Sequence, residues 1–178
     1  GTSSYFTFTD DGSKYATTSY TKYSGTYTGK TTFFVARMDA SIANGYHGIF
    51  GVGALQTRTF NTYIYKTPGP NYQVHGSFGA GFGISNTLTL STNQWFTFGV
   101  THDSSGNITF YFNGQAVGVT TGQTFTNTSG SGTNPQLIGK TDNNWHGDIA
   151  IVTVYDRALS STEMAQNHNS VVGRYGLS

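Results

Sequence analysis

The stretch WHGDIAIVTVYDRALSSTEMAQNH, residues 145–168, gathers Asp148, Asp156, Glu163, His146 and His168. Carboxylates and imidazoles are the usual acids and bases of hydrolysis, and glycosidic cleavage normally needs two carboxylates about 5–9 Å apart. The chain is poor in such groups. Glu163 is its only glutamate, and none of its seven aspartates forms an Asp-x-Asp pair on a strand. Asp10 and Asp11 would point to opposite faces of an extended backbone. Ser160 and Glu163 also have the spacing of a helix capping box, in which serine accepts a backbone N–H and glutamate returns to the serine N–H. That reading accounts for Glu163 without catalysis.

Other local patterns carry little chemistry. Gly79-Ala80-Gly81-Phe82-Gly83 opens no helix, so it is not a dinucleotide fingerprint. Gly139-Lys140-Thr141 has Asn134 where a phosphate loop needs its first glycine. His47, His75, His102, His146 and His168 lack the i, i+4 helical pairing of a zinc hydrolase. The absence of cysteine removes disulfides, a thiolate nucleophile and thiolate metal sites. Hard cations remain open, because Asp10, Asp11, Asp142 and Asp148, with Asn143 and Asn144, supply the oxygens that calcium prefers. These four aspartates are the candidate calcium ligands; the same residues also make ordinary Asx turns.

Aromatic residues are abundant: they make up 15% of the chain, against 10% charged residues. Tyr15, Tyr20, Tyr23 and Tyr27 punctuate a Thr/Ser/Gly stretch, and Tyr63, Tyr65, Tyr72 and His75 form a second run around Pro68-Gly69-Pro70. Aromatic faces with amide and hydroxyl neighbours suit sugars, which present C–H faces and hydroxyls. The candidate ligand-binding set is therefore Tyr20, Tyr23, Tyr63, Tyr65, Tyr72, His75 and Trp145, the tryptophan because it sits in a polar loop. For any single tyrosine the competing role is cross-strand stacking.

The elements that must position these residues are strands. Tyr, Thr and Gly are rich, and Lys, Glu and Leu scarce. Strands are expected at residues 5–9, 30–38, 46–55 and 60–66, with 74–85 a bulged strand or a glycine-lined close approach. Runs 95–101 and 107–112 flank Asp103-Ser104-Ser105-Gly106 as a hairpin, with Ile108, Phe110 and Phe112 on the core face. Asn113-Gly114 predicts a second tight turn. One helix is expected from Ser160, stopping near Gly173, and Asp156-Arg157 is expected to form a local ion pair. With 178 residues, no internal repeat and no linker, a single domain spanning residues 1–178 follows.

A net charge of +1 offers no basic stripe for nucleic acid. No apolar run reaches the ~20 residues of a membrane span. Gly1 is not an initiating Met, which leaves a processed product and an excised domain both open.

In order, YFTFTDDGSKY, NQWFTFGVTHDSSGNITFYFNGQAVG and LIGKTDNNWHGDIAIVTVYDRALSSTEMAQNHN resemble the laminin-G-like, concanavalin-A-like jelly-roll family. The resemblance covers most of the chain and is tightest in the last two segments. It implies an all-β, two-sheet antiparallel jelly-roll sandwich with one short C-terminal helix, one concave sheet, often a rim calcium ion, and Trp95 in the core. The tail AQNHNSVVGRYGLS resembles endings in phage virion and bacterial surface proteins, implying an extracellular or virion-surface location. Hydrolases of this fold carry Glu-x-Asp-x-x-Glu, which a chain with one glutamate cannot have. Jelly-roll alginate lyases carry Gln-x-His and a Tyr/Lys strand; Gln73-Val74-His75 and Tyr63-Ile64-Tyr65-Lys66 match these, but in the wrong order and without the Arg/Glu strand. The expectation is a non-enzymatic module that binds a surface glycan or polysaccharide. The alternative is a structural or decoration protein with virion or surface-protein partners.

Overall fold

The computed structural model describes residues 4–8, 15–18, 29–52, 60–78, 81–124, 136–140 and 144–177. Its strands are β1 (Phe6–Phe8), β2 (Ala16–Thr18), β3 (Gly29–Met38), β4 (Gly45–Val52), β5 (Phe60–Lys66), β6 (Asn71–Phe78) and β7 (Gly81–Ile84). They continue as β8 (Leu88–Thr89), β9 (Trp95–Asp103), β10 (Ile108–Phe112), β11 (Gln115–Thr120), β12 (Gln136–Ile138) and β13 (Gly147–Tyr155), before helix α1 (Ser161–Tyr175). All pairings are antiparallel and fall into two sheets. One is six-stranded, β1-β13-β3-β9-β10-β11; the other runs β2-β12-β4-β5-β6-β7, with β8 also on β6.

Alternation along the strands builds the core between the sheets. Phe34, Ala36, Phe96, Phe98, Val100, Ile108 and Phe110 face inward from the six-stranded sheet, meeting Ile49, Phe50, Ile64, Tyr72 and Val74 from the other. The hydroxyls of Thr32 and Thr62, one from each sheet, lie 3.3 Å apart within this interior. The expected core face of β10 is observed, and Tyr111 on its opposite face joins a second apolar cluster.

That second cluster is the seat of the helix. Met164, His168, Val171 and Tyr175 recur at helical spacing and are buried against Phe33, Val35 and Tyr111 on the outer face of the six-stranded sheet. Gly99 makes the approach possible, because a Cβ there would collide with Met164 Cε. The imidazole Nδ1 of His168 and the Thr97 hydroxyl are 2.9 Å apart, tying helix to sheet. Trp95, implied by the resemblance to be core, lies on this same face, half-buried and packed on Tyr175 with ring centroids 5.1 Å apart.

The capping box is present, with Ser160 at the cap and Glu163 returning to its N–H. The Arg157 guanidinium and the Ser160 N–H hold the Glu163 carboxyl down at about 2. Two expectations change. The helix runs past Gly173 and ends at Gly176, in the left-handed conformation with φ 63°, where its N–H reaches Val172 O. Asp156 and Arg157 do not pair with each other: Lys30 Nζ donates to Asp156 at 2.6 Å, and Arg157 forks onto Glu163. Lys30 is 126 residues from Asp156 in the chain, whereas Glu163 lies six residues beyond Arg157 in the first turn of the helix. Glu163→Gln is expected to change thermal melting little, because glutamine also completes the box, whereas Ser160→Ala costs about 1 kcal/mol; a large loss from the glutamine variant would contradict the capping role.

Asp103 closes the first hairpin by accepting N–H groups from Ser105 and Asn107, and Asn113 and Gly114 form the second turn at φ 44° and 76°. The glycine-rich segment 74–85 resolves into parts of two paired strands, β6 and β7.

Candidate functional site

The helix covers the outer face of the six-stranded sheet; among the described residues, no helix covers the outer face of the other. On β5, Thr62 and Ile64 point inward, so Tyr63 and Tyr65 point out. On β6, Tyr72 and Val74 are core, which sends Gln73, His75 and Ser77 to the outer side. A register shift between Gly48 and Phe50 lets both Ile49 and Phe50 enter the core while Tyr46 stays outside, opposite Tyr65. β7 adds Ile84 opposite His75 and Phe82 opposite Ser77.

These side chains form one aromatic cluster. Tyr46 lies 4.6 Å from Tyr65, 5.4 Å from Tyr63 and 5.5 Å from His75, centroid to centroid. His75 in turn lies 5.6 Å from Tyr63 and from Tyr65, and 5.5 Å from Phe82. Tyr46 and Ile84 are the outermost members, 44% and 40% exposed, while Tyr65 is half-buried. His75 is 3% exposed, neither ring nitrogen has a hydrogen-bond partner, and the Ser77 hydroxyl also lacks one. Burial pushes the imidazole down to about 4, so it is neutral at ordinary pH.

Three of the expected contact residues, Tyr63, Tyr65 and His75, are thus brought together. Two are corrected. Tyr72 is 2% exposed and Trp145 0%, both inside the main core, where neither can meet a surface ligand. The backbone N–H of Trp145 donates to Gly139 O at 2.8 Å, which holds the residue beside the end of β12. Tyr20 and Tyr23 lie outside the described residues. Tyr46 and Phe82 were not expected; an aromatic alternating with glycine, as in Gly45-Tyr46-His47-Gly48 and Gly81-Phe82-Gly83, was their only signal.

Asp148 is corrected as a calcium ligand. One carboxylate oxygen accepts from the Thr7 hydroxyl at 2.7 Å, and the other takes Arg37 Nε and Nη2 at 2.8 and 2.5 Å. Both of its oxygens are thus engaged by protein donors, and Arg37 offsets its charge. Asp10, Asp11 and Asp142 lie outside the described residues, and among those described no group of three or more His, Asp or Glu could hold a metal. Arg37 also sits over the rings of Tyr5 and Trp95, at 5.6 and 5.2 Å.

The chemistry of the tyrosine face follows from what it carries. None of the strands β2, β4, β5, β6, β7 and β12 contains a carboxylate. The described carboxylates are engaged elsewhere: Asp39 by Ser41, Asp103 by its turn, Asp148 by Arg37, Asp156 by Lys30 and Glu163 by the helix cap. The structure does bring Gln73 and His75 beside Tyr63 and Tyr65, in register across β5 and β6. A lyase also needs a cation to neutralise the uronate carboxylate, and the one described cation on these strands, Lys66, donates to Asn44 Oδ1. Among the described residues, this face carries groups for stacking and hydrogen bonding.

Known structures share the architecture. A native heptameric SAP-like pentraxin from Limulus polyphemus superposes with a TM-score of 0.63 at 16% identity, over 77% of this chain and 68% of that one. A Ruminococcus gnavus IT-sialidase CBM40 bound to α2,3-sialyllactose gives 0.61 at 13% identity, over 80% and 83%. A botulinum neurotoxin serotype D binding domain gives 0.60 at 13%, over 82% of this chain, which spans only 38% of that one. At these identities the likeness establishes the fold. No curated protein matches the sequence. The family model described as the concanavalin A-like lectin/glucanases superfamily matches residues 1–165, and with its two antiparallel sheets the chain belongs to that superfamily.

Proposed function

We propose that this protein is a non-catalytic carbohydrate-binding module that recognises a cell-surface glycan through the outer face of β4, β5, β6 and β7. One observation carries the reading: five rings, Tyr46, Tyr63, Tyr65, His75 and Phe82, meet on a sheet face that no described helix covers and whose strands bear no carboxylate. Clustered tyrosines offer rigid apolar area with little entropy to lose, and Asn61 and Gln73 on the same face can meet hydroxyls. The fold shared with a sialyllactose-bound carbohydrate-binding module supports it. In this reading the module is displayed outside the cell, on a phage virion or a bacterial surface protein. Calcium enters only through Asp10, Asp11 and Asp142, since Asp148 is committed to Arg37. A lower Tm with chelator would support the ion, and an unchanged Tm would remove it.

A glycan array probed with the purified chain tests the proposal. Binding should appear and should fall at least about tenfold in the Tyr46→Ala/Tyr65→Ala variant, in line with loss of two stacked aromatic contacts. Silence on every sugar would sink it. The second reading, a structural or decoration protein with protein partners, is favoured by Phe6, which is 70% exposed on the edge strand β1 of the six-stranded sheet. It predicts assembly with a partner and indifference to the Tyr46/Tyr65 substitutions.

A further inference from the structure

We infer that the tyrosine face takes an uncharged glycan, one of whose hydroxyls is received by His75 and Ser77 beneath the rings. This rests on the carbohydrate-binding reading and deepens it. Buried polar atoms in folded proteins are nearly always partnered, so those that are not require a reason. Here three such atoms fall together: both ring nitrogens of His75 and the Ser77 hydroxyl, two residues apart on the outer face of β6. They lie at 3% and 1% exposure, with Tyr46, Tyr63, Tyr65 and Phe82 ringing the imidazole. A neutral imidazole offers one donor and one acceptor, and a serine hydroxyl offers both. A sugar hydroxyl, also both donor and acceptor, is the complement. Tyr46 is the most exposed of these rings and meets His75 edge-on, which makes it the ring a ligand would displace to reach the floor.

Charge on the described residues selects against acidic sugars. The groups that described elements turn toward this floor are Tyr46 from β4, Tyr63 and Tyr65 from β5, Gln73 from β6, and Phe82 and Ile84 from β7; none is a cation. Lys66, at the end of β5, donates to Asn44 Oδ1. Lys140 lies over the ring of Tyr15. A sialate or uronate carboxylate stacked here would lose hydration with no guanidinium or ammonium among the described residues to replace it.

The experiment compares affinities of the full chain for neutral gluco-, manno-, xylo- and galacto-oligosaccharides with those for oligogalacturonate and α2,3-sialyllactose. It is repeated at low and high NaCl and with His75→Phe and Ser77→Ala. The expected result is a neutral ligand preferred at least about tenfold, with affinity insensitive to salt. His75→Phe should bind that ligand about tenfold more weakly while melting no lower than the parent, because it removes two orphaned polar atoms and keeps a ring. An acidic sugar bound more tightly, salt-dependent binding, or an unimpaired His75→Phe would overturn the inference while leaving glycan binding intact. Silence on all sugars would overturn the underlying reading as well.

Discussion

Trp145→Ala is expected to destabilise the protein by about 3–5 kcal/mol, the range for deleting a large, fully buried aromatic from a packed core. Trp145 has no exposed surface and packs among Phe8, Ile49, Phe50, Ile149 and their neighbours. Alanine would leave a cavity that two sheets held by long hydrogen-bonded strands cannot collapse to fill. Trp145→Phe should cost much less, since it retains a ring and removes an indole N–H that has no partner. Denaturant titration of both variants measures the difference. If the alanine variant unfolded like the parent but lost ligand binding, Trp145 would be a contact and its placement in the core would be wrong.

Acid is expected to unfold the protein well before its carboxylates alone would require. Burial holds His75 at about 4 and His102 at about 3, against an ordinary value of 6.5. The folded state therefore binds fewer protons than the unfolded state below pH 6.5. The stability attached to each neutral imidazole is complete above 6.5 and declines as pH falls, until the folded values are passed. By pH 4 the loss is about 3 kcal/mol for each histidine. His168, also lowered by burial, adds in the same direction. Equilibrium unfolding from pH 7 to pH 4 should give a falling stability that His75→Phe partly flattens. A profile flat down to pH 4.5 would mean that these imidazoles are protonated without cost.

Much of the architecture could be read from the chain because its cues are local. The β9–β10 hairpin, the Asn113-Gly114 turn and the Ser160/Glu163 cap each lie within a few residues, and each is found. The errors share a different physics. Trp145 stands in the sequence among Asp142, Asn143, Asn144 and His146, a polar setting that gives no sign of its burial in the core. Strand β9 is covered on both faces, so its near-continuous apolar run gives no phase, and Trp95 falls under the helix rather than between the sheets. Tyr46 was hidden by the irregularity at Gly48/Phe50: strict alternation counted back from the buried Phe50 would have turned it inward. Tyr72 belonged to a polar-aromatic run whose composition pointed outward, but its parity with Val74 makes it core. The pairing of Arg37 with Asp148 joins residues 111 apart, beyond any motif. The second tyrosine run does place Tyr63, Tyr65 and His75 on one face, because β5 and β6 alternate cleanly and pair in unbroken register.

The claim on which the rest depends is the location of the ligand. Amide chemical-shift mapping of the labelled protein, titrated with the strongest neutral glycan from the array, tests it directly. Shifts are predicted at Tyr46, Tyr63, Tyr65, Gln73, His75 and Ile84, with Tyr5, Arg37, Trp95 and the helix unmoved. Saturable shifts centred on the Tyr5–Trp95 side, with the tyrosine face silent, would contradict the account.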